Sequence, residues 1–179
     1  MRKKNKQSGY TIPEILIGVA VVGVVAAITY AGYRMYQSQQ NSNNFGNIVN
    51  QITNNVIQSY QKSQTGYTNI ASDMKPLIQE KVFPDTMTID SSAGTVKIFS
   101  GAVTLAADAN TGGFTLSFAK VPSDTCMKSL AAMGGSGFNA IDVGGSNLWT
   151  TGSDWPAKST IATQCGNGSG NVVMAFHAG

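Results

Sequence analysis

From Ile15 to Tyr33 the chain carries 19 residues without a single charge, and its Val, Ile, Ala and Gly fall on every helical face. At ~1.5 Å rise per residue such a helix is about 28 Å long, close to the ~30 Å hydrocarbon core of a bilayer. Beyond Arg34 the pattern changes. Phe45, Ile48, Val49, Ile52, Val56 and Tyr60 recur at steps of three and four, with Asn, Gln and Ser between them. That spacing predicts one apolar stripe on an otherwise polar helix. Residues 10–62 therefore read as one helix in two parts, apolar all round over 10–36 and amphipathic over 37–62. The stripe is the face that a globular domain would bury. Gly18, Gly23 and Gly32 weaken the first part, each by up to ~1 kcal/mol relative to alanine.

Gln64-Thr65-Gly66-Tyr67-Thr68 breaks the helical period and reads as a turn. A short helix is expected over 72–80. Strand-like runs follow at 86–90, 94–100, 102–107 and 113–119, separated by Ser-Ser-Ala-Gly, by Gly101 and by Asn-Thr-Gly-Gly. They predict an antiparallel meander whose apolar face takes the amphipathic half of the long helix as cover. Pro122-Ser123-Asp124 offers a helix start, with Cys126, Leu130, Ala131 and Met133 on the helix it opens. Gly134-Gly135-Ser136-Gly137 ends that helix. Strands are expected again at 138–143 and 171–176, with a loop-rich segment between them. The fold class is α+β: a long N-terminal helix packed on an antiparallel β-sheet, with residues 63–179 as the globular head.

The residues before the apolar run change the picture. Arg2, Lys3, Lys4 and Lys6 form a basic leader, and Glu14 stands at the edge of the run. A secretory signal peptide would have a core of roughly 7–15 residues with a small-residue cleavage site after it. Here the core is longer, and Thr29-Tyr30-Ala31 is a poor site. The notable junction lies before the core, at Gly9-Tyr10. A short basic leader ending in Gly, an aromatic start to the mature chain, and Glu as the fifth mature residue together resemble the prepilin signature of type IV pilins and their pseudopilin relatives. Gly9, Tyr10 and Glu14 match at those positions, and the resemblance covers about the first 30 residues.

The resemblance implies a leader of residues 1–9 and cleavage by prepilin peptidase between Gly9 and Tyr10. It also implies that Glu14 meets the new amine of a neighbouring subunit during assembly. The physics agrees with that role. A carboxylate in an apolar layer costs ~2.5–3.5 kcal/mol on insertion scales, so Glu14 needs a partner. A buried pair of this kind sets register more than it adds stability. The plainer alternative is a solvated carboxylate at a helix N-terminus, which the helix dipole also favours. Pro13 fits a helix beginning at Tyr10, because its missing N–H is one of the first four that lack an intrahelical acceptor.

Charge then excludes one function class. Twelve basic residues face nine acidic ones, but four of the twelve belong to the leader, so the mature chain has eight against nine, a net of −1. No basic patch with interleaved aromatics exists in the mature part, and intrinsic nucleic-acid binding is not expected. Gly, Ser, Thr and Asn are plentiful, as on an extracytoplasmic surface.

Cys126 and Cys165 are the only cysteines. An even count in an exported setting favours one disulfide, and the chain-entropy model makes a bridge of that span worth ~4 kcal/mol. The competing reading, a metal site made by both cysteines and His177, lacks the close C-x-x-C spacing of zinc sites. In pilins a disulfide near the C-terminus bounds a variable surface region. The long separation of the cysteines and the helix carrying Cys126 are similar to the type IVb subgroup, and the downstream pattern looks closest to the major pilins of conjugative thin pili. Tyr10 departs from the usual Phe of type IVa pilins, and the short leader departs from the longer ones of many type IVb pilins.

Enzyme motifs are missing: there is no G-x-S-x-G, no H-E-x-x-H and no G-x-x-x-x-G-K-[ST]. His177 is the lone histidine, read as a surface residue, with a catalytic triad as the alternative. Trp149 and Trp155 sit in the loop-rich segment, where local packing and contact with a neighbour are equal readings.

The resemblance implies a pilus subunit with no catalysis of its own and no cofactor or metal. It would begin in the inner membrane as a prepilin, meet prepilin peptidase and the inner-membrane assembly machinery, and end as a helical homo-oligomer in an extracellular pilus serving conjugation or adhesion. The alternatives are a pseudopilin of a type II-like secretion system and a membrane-anchored periplasmic domain.

Overall fold

Helix α1 runs Ile12–Tyr60 in the computed structural model, which describes residues 12–61, 63–72, 74–109, 111–135 and 137–179. The chain falls into two units, Met1–Ser38 and Gln39–Gly179. In the first unit the large described side chains of α1, from Leu16 to Tyr33, are apolar and exposed. Thr29 donates its hydroxyl to the carbonyl of Val25 one turn earlier, which satisfies that group without water.

In the second unit the same helix buries the stripe that its spacing predicts: Phe45, Ile48, Val49, Ile52 and Val56 are buried, and Tyr60 is half-buried. Gly46 is buried on the same side, and a Cβ there would come within 3.0 Å of the Met133 side chain. The polar flank of the helix is used as well. Asn55 donates to the Val82 carbonyl at 3.0 Å, and Ser59 donates to Glu80 at 3.0 Å, so α1 holds the stretch after the short helix α2, Met74–Gln79.

Among the described residues seven strands form one sheet: β1 Thr88–Asp90, β2 Thr95–Ile98, β3 Gly101–Ala107, β4 Phe114–Pro122, β5 Ala140–Val143, β6 Ser146–Thr150 and β7 Asn171–Ala178. The spatial order is β1-β2-β3-β4-β7-β5-β6, antiparallel throughout. The expected meander is thus β1 to β4. Period-two alternation decides the faces. Phe114, Leu116 and Phe118 of β4 and Met174 and Phe176 of β7 point into the core, while Thr115, Ser117, Ala175 and His177 take the other face. The Phe45 ring stands edge-on to Phe118, with centroids 5.0 Å apart, and joins helix to sheet.

One expectation is corrected and two are sharpened. Gly101 was the expected break between two strands, but it is the first residue of β3 and pairs with Ile98. The turn is Phe99-Ser100, with φ of 50° and 64°, the positive values that a two-residue hairpin of this hand requires. Phenylalanine is a costly choice there, and packing of its ring on Phe45, at 5.8 Å, offsets the strain. Helix α3, Ser123–Met133, starts where Pro122-Ser123-Asp124 predicts, with Pro122 as its N-cap residue, and the same proline also ends β4 opposite Asn171. The loop-rich segment between the last two expected strands also holds two elements that were not expected, β6 and helix α4, Lys158–Gln164.

Candidate functional site

The junction Gly9-Tyr10 lies outside the described residues. Glu14 belongs to α1, and its side chain is also outside them. What can be described is the helix surface that follows. Leu16, Val19, Val22, Val24, Ile28 and Tyr30 are 60–69% exposed. An apolar surface of that extent requires a covering partner in water. Among the described residues no helix is long and apolar enough to cross a membrane; Ile15 and Ile17 of the expected span have side chains outside them.

The region between the cysteines is built on two helix ends. Cys126 is buried in α3 and Cys165 is buried at the end of α4, and they form a disulfide with Cα atoms 5.8 Å apart. Ser123, at the first turn of α3, does not cap its own helix. Its hydroxyl donates to the Cys165 carbonyl and accepts the Gly168 N–H at 2.8 Å. The start of α3 and the end of α4 are therefore tied twice, once covalently and once by this serine. The disulfide consumes both thiols and so overturns the metal alternative.

Trp149 sits on β6, half-buried, with its ring centroid 5.5 Å from that of Trp155. Its indole N–H donates to the Ser153 carbonyl at 3.1 Å. The ring lies against Gly135, where a Cβ would come within 2.3 Å of it, so only glycine allows this approach. Of the two readings of Trp149, local packing is the one that these contacts support.

His177 is not an isolated surface residue. On β7 it is 21% exposed and lies between two carboxylates: Nδ1 is 2.9 Å from Asp108 Oδ2, and Nε2 is 3.0 Å from Asp142 Oδ2. Thr115, its cross-strand neighbour on β4, reaches Nδ1 at 3.2 Å. Burial alone would lower the pKa of the ring, but hydrogen bonds to Asp108 and Asp142 and the charges of both hold it above its usual value. With a carboxylate on each nitrogen, neither is free to act as a base toward a substrate, which removes the basis of the triad alternative. The sequence missed this cluster. Strand alternation does place Asp142 and His177 opposite the buried Ile141 and Phe176, but their meeting depends on the register Ala140↔His177 between β5 and β7.

Comparison with known proteins gives two family matches. The model described as PilS N terminal matches residues 37–177. The model described as prokaryotic N-terminal methylation motif matches residues 4–30. Among solved structures, the chain is similar to the crystal structure of a type IV b pilin from Salmonella typhi. The two share 22% identity and a TM-score of 0.58, over 79% of this chain and 97% of that one. No curated protein matches.

Proposed function

Because the chain belongs to the PilS family, type IVb-like pilins that are structural subunits of a pilus, we propose how this subunit is matured and assembled. Residues 1–9 are a leader that prepilin peptidase removes between Gly9 and Tyr10. The mature chain then has a helical part over 10–62 and a head over 63–179. Before assembly the uncharged run from Ile15 to Tyr33 is held in the inner membrane, with the basic leader on the cytoplasmic side. Assembly exchanges lipid for the apolar helix segments of other copies, and repeated head-to-tail contacts give an open filament instead of a closed ring. Glu14 pairs with the Tyr10 amine of a neighbouring copy and fixes the register of each addition. The filament serves conjugation or adhesion, and the subunit contributes structure, not catalysis.

The observation that carries this reading is the exposed apolar surface of α1 from Leu16 to Tyr33. Apolar side chains spread around a helix cannot be covered from one side. Lipid, or several copies of the same helix, covers them from all sides. The methylation-motif match over residues 4–30 supports processing at this end of the chain.

The test is the N-terminal residue and mass of protein recovered from sheared surface filaments. A chain starting at Tyr10 and two mass units light for the disulfide is expected. An intact Met1 start, with protein found only in membranes, would sink the proposal. Gly9→Val is expected to block maturation. Glu14→Ala is expected to be processed and yet to leave no filaments; abundant filaments from that variant would remove the role given to Glu14.

A further inference from the structure

The Asp108–His177–Asp142 cluster joins three stretches that are distant in sequence: His177 lies 69 residues from Asp108 and 35 from Asp142. Asp108 stands just after β3, in a turn whose backbone it closes: its N–H donates to the Gly113 carbonyl at 2.9 Å and its carbonyl accepts from Gly112 at 3.0 Å. Asp142 is in β5, and its other oxygen accepts from Asn147 of β6 at 3.0 Å. Among the described residues, the charged groups facing the ring are Asp108 and Asp142. β4 adds the neutral Thr115 hydroxyl, and β6 adds the neutral Asn147 amide behind Asp142.

The geometry has one chemical consequence. A neutral imidazole has a single N–H, so it can donate to only one of two carboxylates, and its other nitrogen then points a lone pair at the second. A doubly protonated ring donates to both. With both nitrogens 2.9–3.0 Å from carboxylate oxygens, the arrangement suits the cation best. We propose that Asp108, His177 and Asp142 form a proton-operated clasp, which ties the β3–β4 turn and the β5–β6 hairpin to β7 and opens when the ring loses a proton.

The sign follows from linkage. The ring is held protonated above its ordinary value of ~6.5. The stability it adds is therefore fully present below ~6.5 and is lost as pH rises through the higher folded-state value. Asp108 is 7% exposed, so opening the clasp takes the imidazolium away from beside a buried carboxylate, at the turn that leads into β4. The part of the sheet that loosens first in alkali is this corner.

One histidine in the whole chain makes the experiment clean. Full-length protein labelled only at histidine with 15N and held in detergent micelles gives a single pair of ring signals. The expected result is an imidazolium with both N–H groups present at pH 6.5, titrating at a higher pH. A ring that is neutral at pH 6.5, or that titrates below it, would overturn the clasp. The second measurement is the thermal unfolding of the head in wild type and in His177→Gln. Wild type is expected to unfold higher at pH 6, by on the order of 2–4 °C, with the difference vanishing in alkali. Equal Tm values at pH 6, or a gap that does not change with pH, would count against it. Should His177→Gln fail to fold, the wild-type ring titration decides alone.

Discussion

Two stretches of one helix, residues 16–33 and 45–60, use the same kinds of side chain and end in opposite environments. In the first the large apolar residues are exposed; in the second they form the core. Helix propensity does not separate them, since both lie within α1. Distribution around the axis does. Residues at steps of three and four collect on one face, and one sheet can cover one face. Residues on every face cannot be satisfied by the chain's own sheet and need cover from all sides. An apolar helix is thus addressed to its own domain or to other molecules by how its residues are spaced, not by how many it has.

The largest test of that contrast places the same charge in each stretch. Ile52→Asp buries an unpaired carboxylate in the core and is expected to unfold the head, at about 4 kcal/mol or more. Val22→Asp is expected to leave thermal unfolding of the head unchanged while costing ~2.5–3.5 kcal/mol of membrane insertion. Differential scanning calorimetry in micelles and membrane fractionation measure the two arms. A head transition that fell equally in both variants would break the contrast. Phe45→Ala comes next. It removes the ring that meets Phe99 and Phe118 and is expected to cost ~3–5 kcal/mol in denaturant unfolding. Replacing Cys126 and Cys165 together by alanine is expected to cost about 2–4 kcal/mol, all in the head, with the helical circular-dichroism signal of the isolated state in micelles largely kept. The smallest effect sharpens the contrast from the other side: Val22→Ala is expected to move head unfolding by no more than ~0.5 kcal/mol, read by the same denaturant titration.

The features legible in the sequence share a cause. The stripe from Phe45 to Val56, the alternation in β4 and the pairing of two lone cysteines are local or combinatorial signals, readable without knowing what touches what. The missed features depend on contacts. Ser146–Thr150 has little alternation and becomes β6 because β5 supplies a partner. The turn at Phe99-Ser100 displaced the expected glycine because Phe99 finds Phe45. His177 acquires two carboxylates only through strand register, and Ser123 turns away from its own helix because the Cys165 carbonyl lies within reach. The N-terminal signature is the reverse case: Gly9 and Tyr10 are plain in the sequence, and both lie outside the described residues.

The place of β7 in the sheet also sets a timetable. It follows every other strand along the chain and lies between β4 and β5 in space. Among the described residues, the β1–β4 meander and the β5–β6 hairpin share no direct strand pairing, and β7 joins them within the sheet. As the chain emerges N-terminus first, the edges of β4 and β5 stay open until Asn171–Ala178 appears, and Phe114 must then find Ala178. Pairing across so long a separation is slow, and open edges are where strands mispair. Both cysteines precede β7 in the sequence. Oxidation can therefore fasten α3 to the end of α4 while the last strand is still to come, shortening the search that β7 has to make.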